Sequence, residues 1–128
     1  MSTIKANTLL HSDGTTTTQP SIPALDQRMA KAWVTFNSSG TVAIRDSYGV
    51  SSITDNGTGY FKCNLSVTQN NANYVIVGGG DGYSTGSVHI MYDSGQGAIS
   101  TTSFGMRAPD AENTMRDSAY NSVMIFGS

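Results

Sequence analysis

The sequence predicts an all-β domain: an antiparallel β-sandwich or barrel-like fold preceded by an extended N-terminal arm and one short helix. Charged residues make up only 12% of the 128 residues, whereas Ser and Thr together make up about a quarter, and this composition favours strands and turns. From Trp33 onward, apolar residues recur with period two. Short Gly-, Asn- and Asp-rich connections separate these runs. The chain length suits one domain with a single core.

The first 20 residues have the character of an arm. The Thr run of SDGTTTTQP precedes Pro20, and β-branching and the pre-proline restriction both disfavour a helix there. We expect this arm to lie on a neighbouring molecule, for example as an added strand. The Leu9-Leu10 pair is too short for a signal peptide, and no apolar run approaches the roughly 20 residues of a membrane span. The chain is therefore expected to fold in a cytoplasm, without membrane insertion.

A helix is predicted over residues 23–32. Ser21 is placed to cap it, and Pro23 suits its first turn. Its apolar positions recur at spacings of three and four residues: Ile22, Leu25, Met29 and Ala32. Such a stripe has two interpretations, packing on the chain's own domain or forming a short parallel bundle around a symmetry axis.

Eight strands are predicted from the period-two runs, at residues 32–36, 41–45, 50–54, 60–67, 73–78, 87–92, 98–104 and 121–126. The fourth is the clearest, and its alternation predicts that Cys63, the only cysteine, is a small buried hydrophobe. The last strand is apolar on both faces, with Met124 and Phe126 opposite Val123 and Ile125. It is therefore either central in its sheet or covered by another subunit. Residues 105–120 are the least periodic and are predicted to be a surface loop or crossover.

No residue pattern in the chain predicts catalysis, a metal or a cofactor. The Gly-rich segment 78–86 lacks the Lys and the following helix of a phosphate loop, and is interpreted as a hairpin tip. The segment 55–59 is interpreted as a hairpin turn rather than a calcium loop. His11 and His89 have no metal-ligand spacing. The net charge of −2 argues against nucleic-acid binding.

Three tyrosines lie at predicted loops or strand ends: Tyr83 in the Gly-rich segment, Tyr92 at a strand end and Tyr48 in the turn DSYG. Tyr83 and Tyr92 are the candidates for contact with a receptor. A tyrosine ring stacks on a sugar while its hydroxyl forms hydrogen bonds, so a carbohydrate-binding module using a host-surface glycan is an alternative function.

One long segment resembles a known protein family. The stretch KAWVTFNSSGTVAIRDSYGVSSITDNGTGYFKCNLS, residues 31–66, resembles a β-rich module of virion proteins from tailed bacteriophages, especially marine and cyanobacterial ones. These proteins are usually described as tail fibres. The matching motifs are at residues 32–37, 40–45 and 50–59. The segment 71–78, the ending NSVMIF and the opening STIKANTL are also similar to this family.

The resemblance implies a non-enzymatic structural protein of the virion, homotrimeric and assembled in the host cytoplasm. It implies that residues 1–32 attach to another virion protein and that residues 33–128 form a displayed β-domain, with 79–118 facing outward. Because only about 30 residues precede the β-domain, two roles remain open: a short tail fibre or appendage for host attachment, and a capsid decoration or head-fibre protein. The expected oligomer interface comprises Ile22, Leu25, Met29, Met124 and Phe126.

Overall fold

The computed structural model describes residues 1–15, 22–82 and 86–127, apart from the side chain of Asp26. Its single α-helix in this part is α1, Pro23–Asp26. The strands are β1 (Ala30–Asn37), β2 (Ala43–Tyr48), β3 (Val50–Gly57), β4 (Tyr60–Leu65), β5 (Val75–Gly80), β6 (Met91–Tyr92), β7 (Ser103–Arg107) and β8 (Asn121–Phe126). A 3-10 turn follows β6 at Ser94–Gln96.

The strands form two four-stranded antiparallel sheets, which confirms the predicted sandwich. Sheet A has the order β2-β1-β8-β5, and sheet B has the order β3-β4-β7-β6. Strand β8 lies between β1 and β5, so the last strand is central, as one of its two interpretations predicted.

The core fills the space between the sheets with the inward-facing residues of both. Phe36 from sheet A meets Phe61 from sheet B edge to face, with ring centroids 5.3 Å apart. Tyr74 and Phe104 form a second edge-to-face pair at 6.0 Å. The Tyr74 hydroxyl donates to the Ser100 carbonyl at 2.8 Å, so its polar end is paired. Cys63 is fully buried among these residues, which confirms its predicted role as a core side chain.

The ten-residue helix prediction is wrong. Helix α1 ends at Asp26, and the chain is already in β1 at Ala30, which pairs with Phe126. Ala32 is buried in the core between the sheets, so it belongs to the period-two pattern of a strand rather than to a helical stripe. Pro23 does start the helix, but the preceding Ile22 makes no side-chain capping bond, and the proposed cap, Ser21, lies outside the described residues.

Two other predicted strands are displaced. The predicted strand 87–92 is reduced to β6, Met91–Tyr92, although Val88 and Ile90 are buried as the alternation predicted. The predicted strand 98–104 is largely loop, and the strand instead occupies residues 103–107. The Gly-rich tip is also misplaced in part, because Gly78–Gly80 belong to β5. The hairpin turn in the segment 55–59 is confirmed, because β3 ends at Gly57 and β4 begins at Tyr60. At the end of β3, the Gly57 amide donates to Asp55 Oδ1 at 3.0 Å.

Residues 105–120 are a crossover, as one of the two interpretations predicted, because they lead from β7 in sheet B to β8 in sheet A. They begin in β7 and include buried Met106, Ala108 and Asp110. The Asp110 carboxylate accepts the backbone amides of Glu112 and Thr114, each at 2.9 Å, and the Arg116 Nε at 2.8 Å. Aspartate settles at such turns because its carboxylate satisfies several backbone donors at once. Buried side chains and a paired carboxylate therefore fix the conformation of this crossover.

The chain changes sheets at Gly49. Strands β2 and β3 flank this residue but lie in sheets A and B respectively, so they are not a hairpin. Gly49 has φ +70, and a Cβ there would lie 3.0 Å from the Ala32 Cβ. A side chain here would therefore be strained by the backbone conformation and crowded against Ala32. The crossing leaves Tyr48 as the last residue of edge strand β2, at the outer surface.

Candidate functional site

The outer face of sheet A carries a row of apolar side chains that crosses all four strands. Trp33 pairs with Tyr48 on one side and with Met124 on the other, and Met124 pairs with Val77. Directly paired residues point to the same side of a sheet, so these four side chains stand next to one another. Their neighbours Ala32 and Val123 point into the core, which places the row on the solvent side. We call it the apolar row.

A second apolar pair extends the row toward one end of the sheet. Phe126 pairs with Val75 there. Val75 is 59% exposed, Val77 48% and Met124 39%, so the side chains are accessible in the single chain. On the other flank the next cross-strand positions are polar, and Thr35 Oγ1 lies 3.5 Å from Ser122 Oγ. The face is thus divided into an apolar part and a polar part along the strands.

The outer face of sheet B has a different character at its centre. Asn64 donates there to Ser52 Oγ at 3.1 Å and to Thr54 Oγ1 at 2.9 Å. These polar groups satisfy one another and face water in the ordinary way for a half-buried sheet. Contiguous exposed apolar surface on a monomer is typical of interaction sites. The contrast between the two faces identifies the outside of sheet A as the candidate interaction surface.

The predicted interface residues are only partly brought together. Met124 and Phe126 both lie on the outer face of sheet A. Ile22, Leu25 and Met29 lie in the segment before β1, where each is 39–40% exposed. Since Ala30 pairs with Phe126, this segment enters the sheet beside the apolar face. Sequence reasoning missed the other members of this face, Trp33, Tyr48, Val75 and Val77. Trp33, Val75 and Val77 lie in predicted strands, whereas Tyr48 was predicted to lie in a turn after the strand 41–45 and is in fact the last residue of β2.

Of the two candidate receptor tyrosines, the one that the structure describes, Tyr92, is not on this face. Tyr83 lies outside the described residues. Tyr92 is in β6, at the edge of sheet B, and is 41% exposed. Its hydroxyl accepts the Ile99 amide at 3.1 Å, which fixes the loop after β6.

A polar cavity of about 200 Å³ adjoins the same end of sheet A. Its walls come from the start of β1, the end of β2 and the loop after β4. The lining residues are Ala30, Lys31, Tyr48, Val67, Thr68, Gln69 and Asn70. No sequence motif marks it, because these residues come from three separate segments.

The titratable groups of the described residues include two ion pairs and one buried thiol. No group of three or more His, Cys, Asp or Glu side chains in the described ranges is placed to hold a metal. His11 pairs with Asp13 at 3.3 Å on the exposed arm, and Asp110 pairs with Arg116 as above. Burial raises the pKa of the Cys63 thiol to about 12, which keeps it protonated and unreactive at neutral pH.

Comparison with known proteins adds no relative: no protein-family model, curated protein or solved structure matches the chain. Helix α1 has four residues, and no helix in the described part of the chain is long and apolar enough to cross a membrane.

Proposed function

We propose that the chain is a non-enzymatic structural protein of a tailed-bacteriophage virion, which assembles with copies of itself and displays its β-domain. The apolar row carries the assembly part of this proposal. Trp33, Met124 and Val77 are adjacent on the outside of a sheet, and covering them with a second copy removes apolar surface from water at roughly 25 cal/mol per Å². A homotrimer is the assembly that the resemblance of residues 31–66 implies.

The N-terminal arm supports attachment to another virion protein. Residues 1–10 are exposed throughout and form no helix or strand. Ile4 is 88% exposed, Leu9 65% and Leu10 48%, so the chain's own domain does not cover them. Segments of this kind gain most of their order from the partner on which they lie. Of the expected segment 1–32, residues 30–32 belong to β1, so residues 1–29 are the proposed attachment segment.

Two virion positions fit these features, and one experiment separates them. The first is a short tail fibre or appendage that serves host attachment, and the second is a decoration or head-fibre protein on the capsid lattice. Antibodies against the β-domain, applied to purified particles and viewed by electron microscopy, should label the tail in the first case and the whole capsid surface in the second. Absence of the chain from the proteins of purified particles would contradict both.

A further inference from the structure

The cavity beside Tyr48 has walls that are fixed before any ligand arrives. The Ser66 amide donates to the Gly49 carbonyl at 3.0 Å, and the Gln69 amide donates to the Thr101 carbonyl at 2.8 Å. The loop that forms one wall is thereby tied to the β2–β3 crossing and to the loop before β7. Preformed walls reduce the ordering cost of binding.

Gln69 supplies a fixed polar group in this wall. It is only 6% exposed, and its Nε2 donates to the Val67 carbonyl at 3.0 Å. That bond orients the amide, and its Oε1 is not among the buried unpaired side-chain atoms of the described residues, so it is open to a water or a ligand. A water bound to a fixed acceptor can be replaced by a ligand group that donates to the same atom. A ligand hydroxyl is such a donor.

The remaining lining residues define the class of ligand. Lys31 is the charged residue among the described lining residues, so the cavity favours an anion. The Tyr48 ring, 40% exposed, offers an apolar surface against which a sugar ring can stack. Thr68 contributes a further hydroxyl. A volume of about 200 Å³ is room for one sugar ring.

We propose that this cavity binds a single terminal hexuronic acid residue of a polysaccharide. The ring stacks on Tyr48, its hydroxyls donate to Gln69 Oε1, and its carboxylate accepts from the Lys31 ammonium group. This assignment places the sugar contact on Tyr48 rather than on the two candidate receptor tyrosines, Tyr83 and Tyr92. It concerns the isolated chain and holds or fails independently of the chain's position in a virion.

The test compares three probes by calorimetry and ligand-observed NMR at low salt: methyl glucuronide, methyl glucoside and inorganic phosphate. The glucuronide should bind about fivefold more tightly than the glucoside, the effect of one partly exposed ion pair. Lys31→Gln should remove that preference and leave the weaker glucoside binding in place. Phosphate binding as tight as the glucuronide, or equal binding of the two glycosides to the wild type, would overturn the proposal.

Two tyrosines of nearly equal exposure provide the matched variants. Tyr48→Ala should weaken glucuronide binding about tenfold through loss of stacking, whereas Tyr92→Ala, 41% exposed on the other sheet, should leave it unchanged. Gln69→Ala should also weaken binding, and NMR spectra establish that each variant is folded. The reverse result, with Tyr92 required and Tyr48 dispensable, would contradict the assignment.

Self-association needs its own control because Tyr48 also belongs to the apolar row. The titrations are therefore repeated with Met124→Glu, which should disrupt contact between copies without touching the cavity lining. Selective glucuronide binding by the wild type or by this variant supports the proposal. Binding by neither overturns it and leaves the proposed assembly role unaffected.

Discussion

Replacing the Asp110 carboxylate with an amide should cost far more stability than the same change at Asp93. Asp110 is buried, and its Oδ2 accepts the Arg116 Nε at 2.8 Å while its Oδ1 accepts two backbone amides. In Asp110→Asn the amide oxygen can keep the Oδ1 bonds. The amide nitrogen then faces the Arg116 N–H, so a donor meets a donor.

The size of the effect follows from the burial of the two partners. A hydrogen bond to a charged group contributes about 1.5–3 kcal/mol, and breaking a fully buried ion pair costs about 3–5 kcal/mol. The Arg116 side chain is 26% exposed and can turn partly toward water, which lowers the cost. We expect a loss of about 2–3 kcal/mol in the free energy of unfolding, or a drop in Tm of about 10 °C for a domain of this size.

Urea unfolding monitored by tryptophan fluorescence and circular dichroism measures this loss. Asp93→Asn is the matched control, because Asp93 Oδ1 accepts the Gly95 amide at 2.9 Å and asparagine can accept it equally well. The control should change stability by less than about 0.5 kcal/mol. Equal losses in the two variants would refute the conclusion that Asp110 organises the segment 105–120.

Three further perturbations test other parts of the fold. Gly105→Ala should cost about 3 kcal/mol of unfolding free energy, because a Cβ there would collide with the backbone around the 3-10 turn. Gly79→Ala is the control and should be nearly neutral, because nothing lies within 4 Å of a Cβ at that position. Thermal melts measure both. Asn121→Ala should cost about 2–4 kcal/mol by urea unfolding, because the buried Nδ2 donates to the Ser118 carbonyl at 3.1 Å and to Ser38 Oγ at 3.0 Å; a loss below 1 kcal/mol would contradict this role. The pKa of Cys63 is higher in the folded state than in the unfolded state, so deprotonation of the thiol favours unfolding. The free energy of unfolding is therefore unaffected by this group below the unfolded pKa of about 9, and it falls as the pH rises toward about 12. At pH 10 the wild type should lose roughly 1 kcal/mol more unfolding free energy than Cys63→Ala does, and equal losses in the two proteins would exclude the thiol as the source.

Local alternation predicted much of the fold. Strand β8 occupies the predicted residues 121–126, and β3 and β4 begin at the predicted residues. The prediction of a ten-residue helix failed because the spacing of the apolar residues from Leu25 to Ala32 fits a helical stripe as well as it fits the entry to a strand. Pairing of Ala30 with Phe126, about 100 residues away in sequence, decides between them. Such non-local pairing outweighs local propensity.

Strand β7 was misplaced for a different reason. Gly105 interrupts its period-two pattern, and glycine is depleted in strands. The structure requires glycine at this position because the backbone of the 3-10 turn passes directly against it. The sequence shows that residue 105 is a glycine, which disfavours a strand. It does not show that the backbone of another segment passes so close that only glycine fits there.

Only part of the candidate interaction surface could be predicted from the sequence. Met124 and Phe126 stood out because β8 is apolar on both faces. Trp33 and Val77 belong to strands whose alternation shows that there are two faces but not which one is buried. The row exists only through the order of four strands, and the cavity only through three distant segments, so neither could be derived from local patterns.

Sedimentation of the purified chain at micromolar concentration tests the central claim, that the outside of sheet A is covered by another copy of this protein. The account predicts an assembly larger than a monomer, with Met124→Glu raising its dissociation constant at least about 30-fold. Met91→Glu, at a residue 44% exposed on sheet B against 39% for Met124, should leave the assembly intact. A wild-type chain that sediments as a monomer, or an assembly that responds equally to both substitutions, would contradict the account.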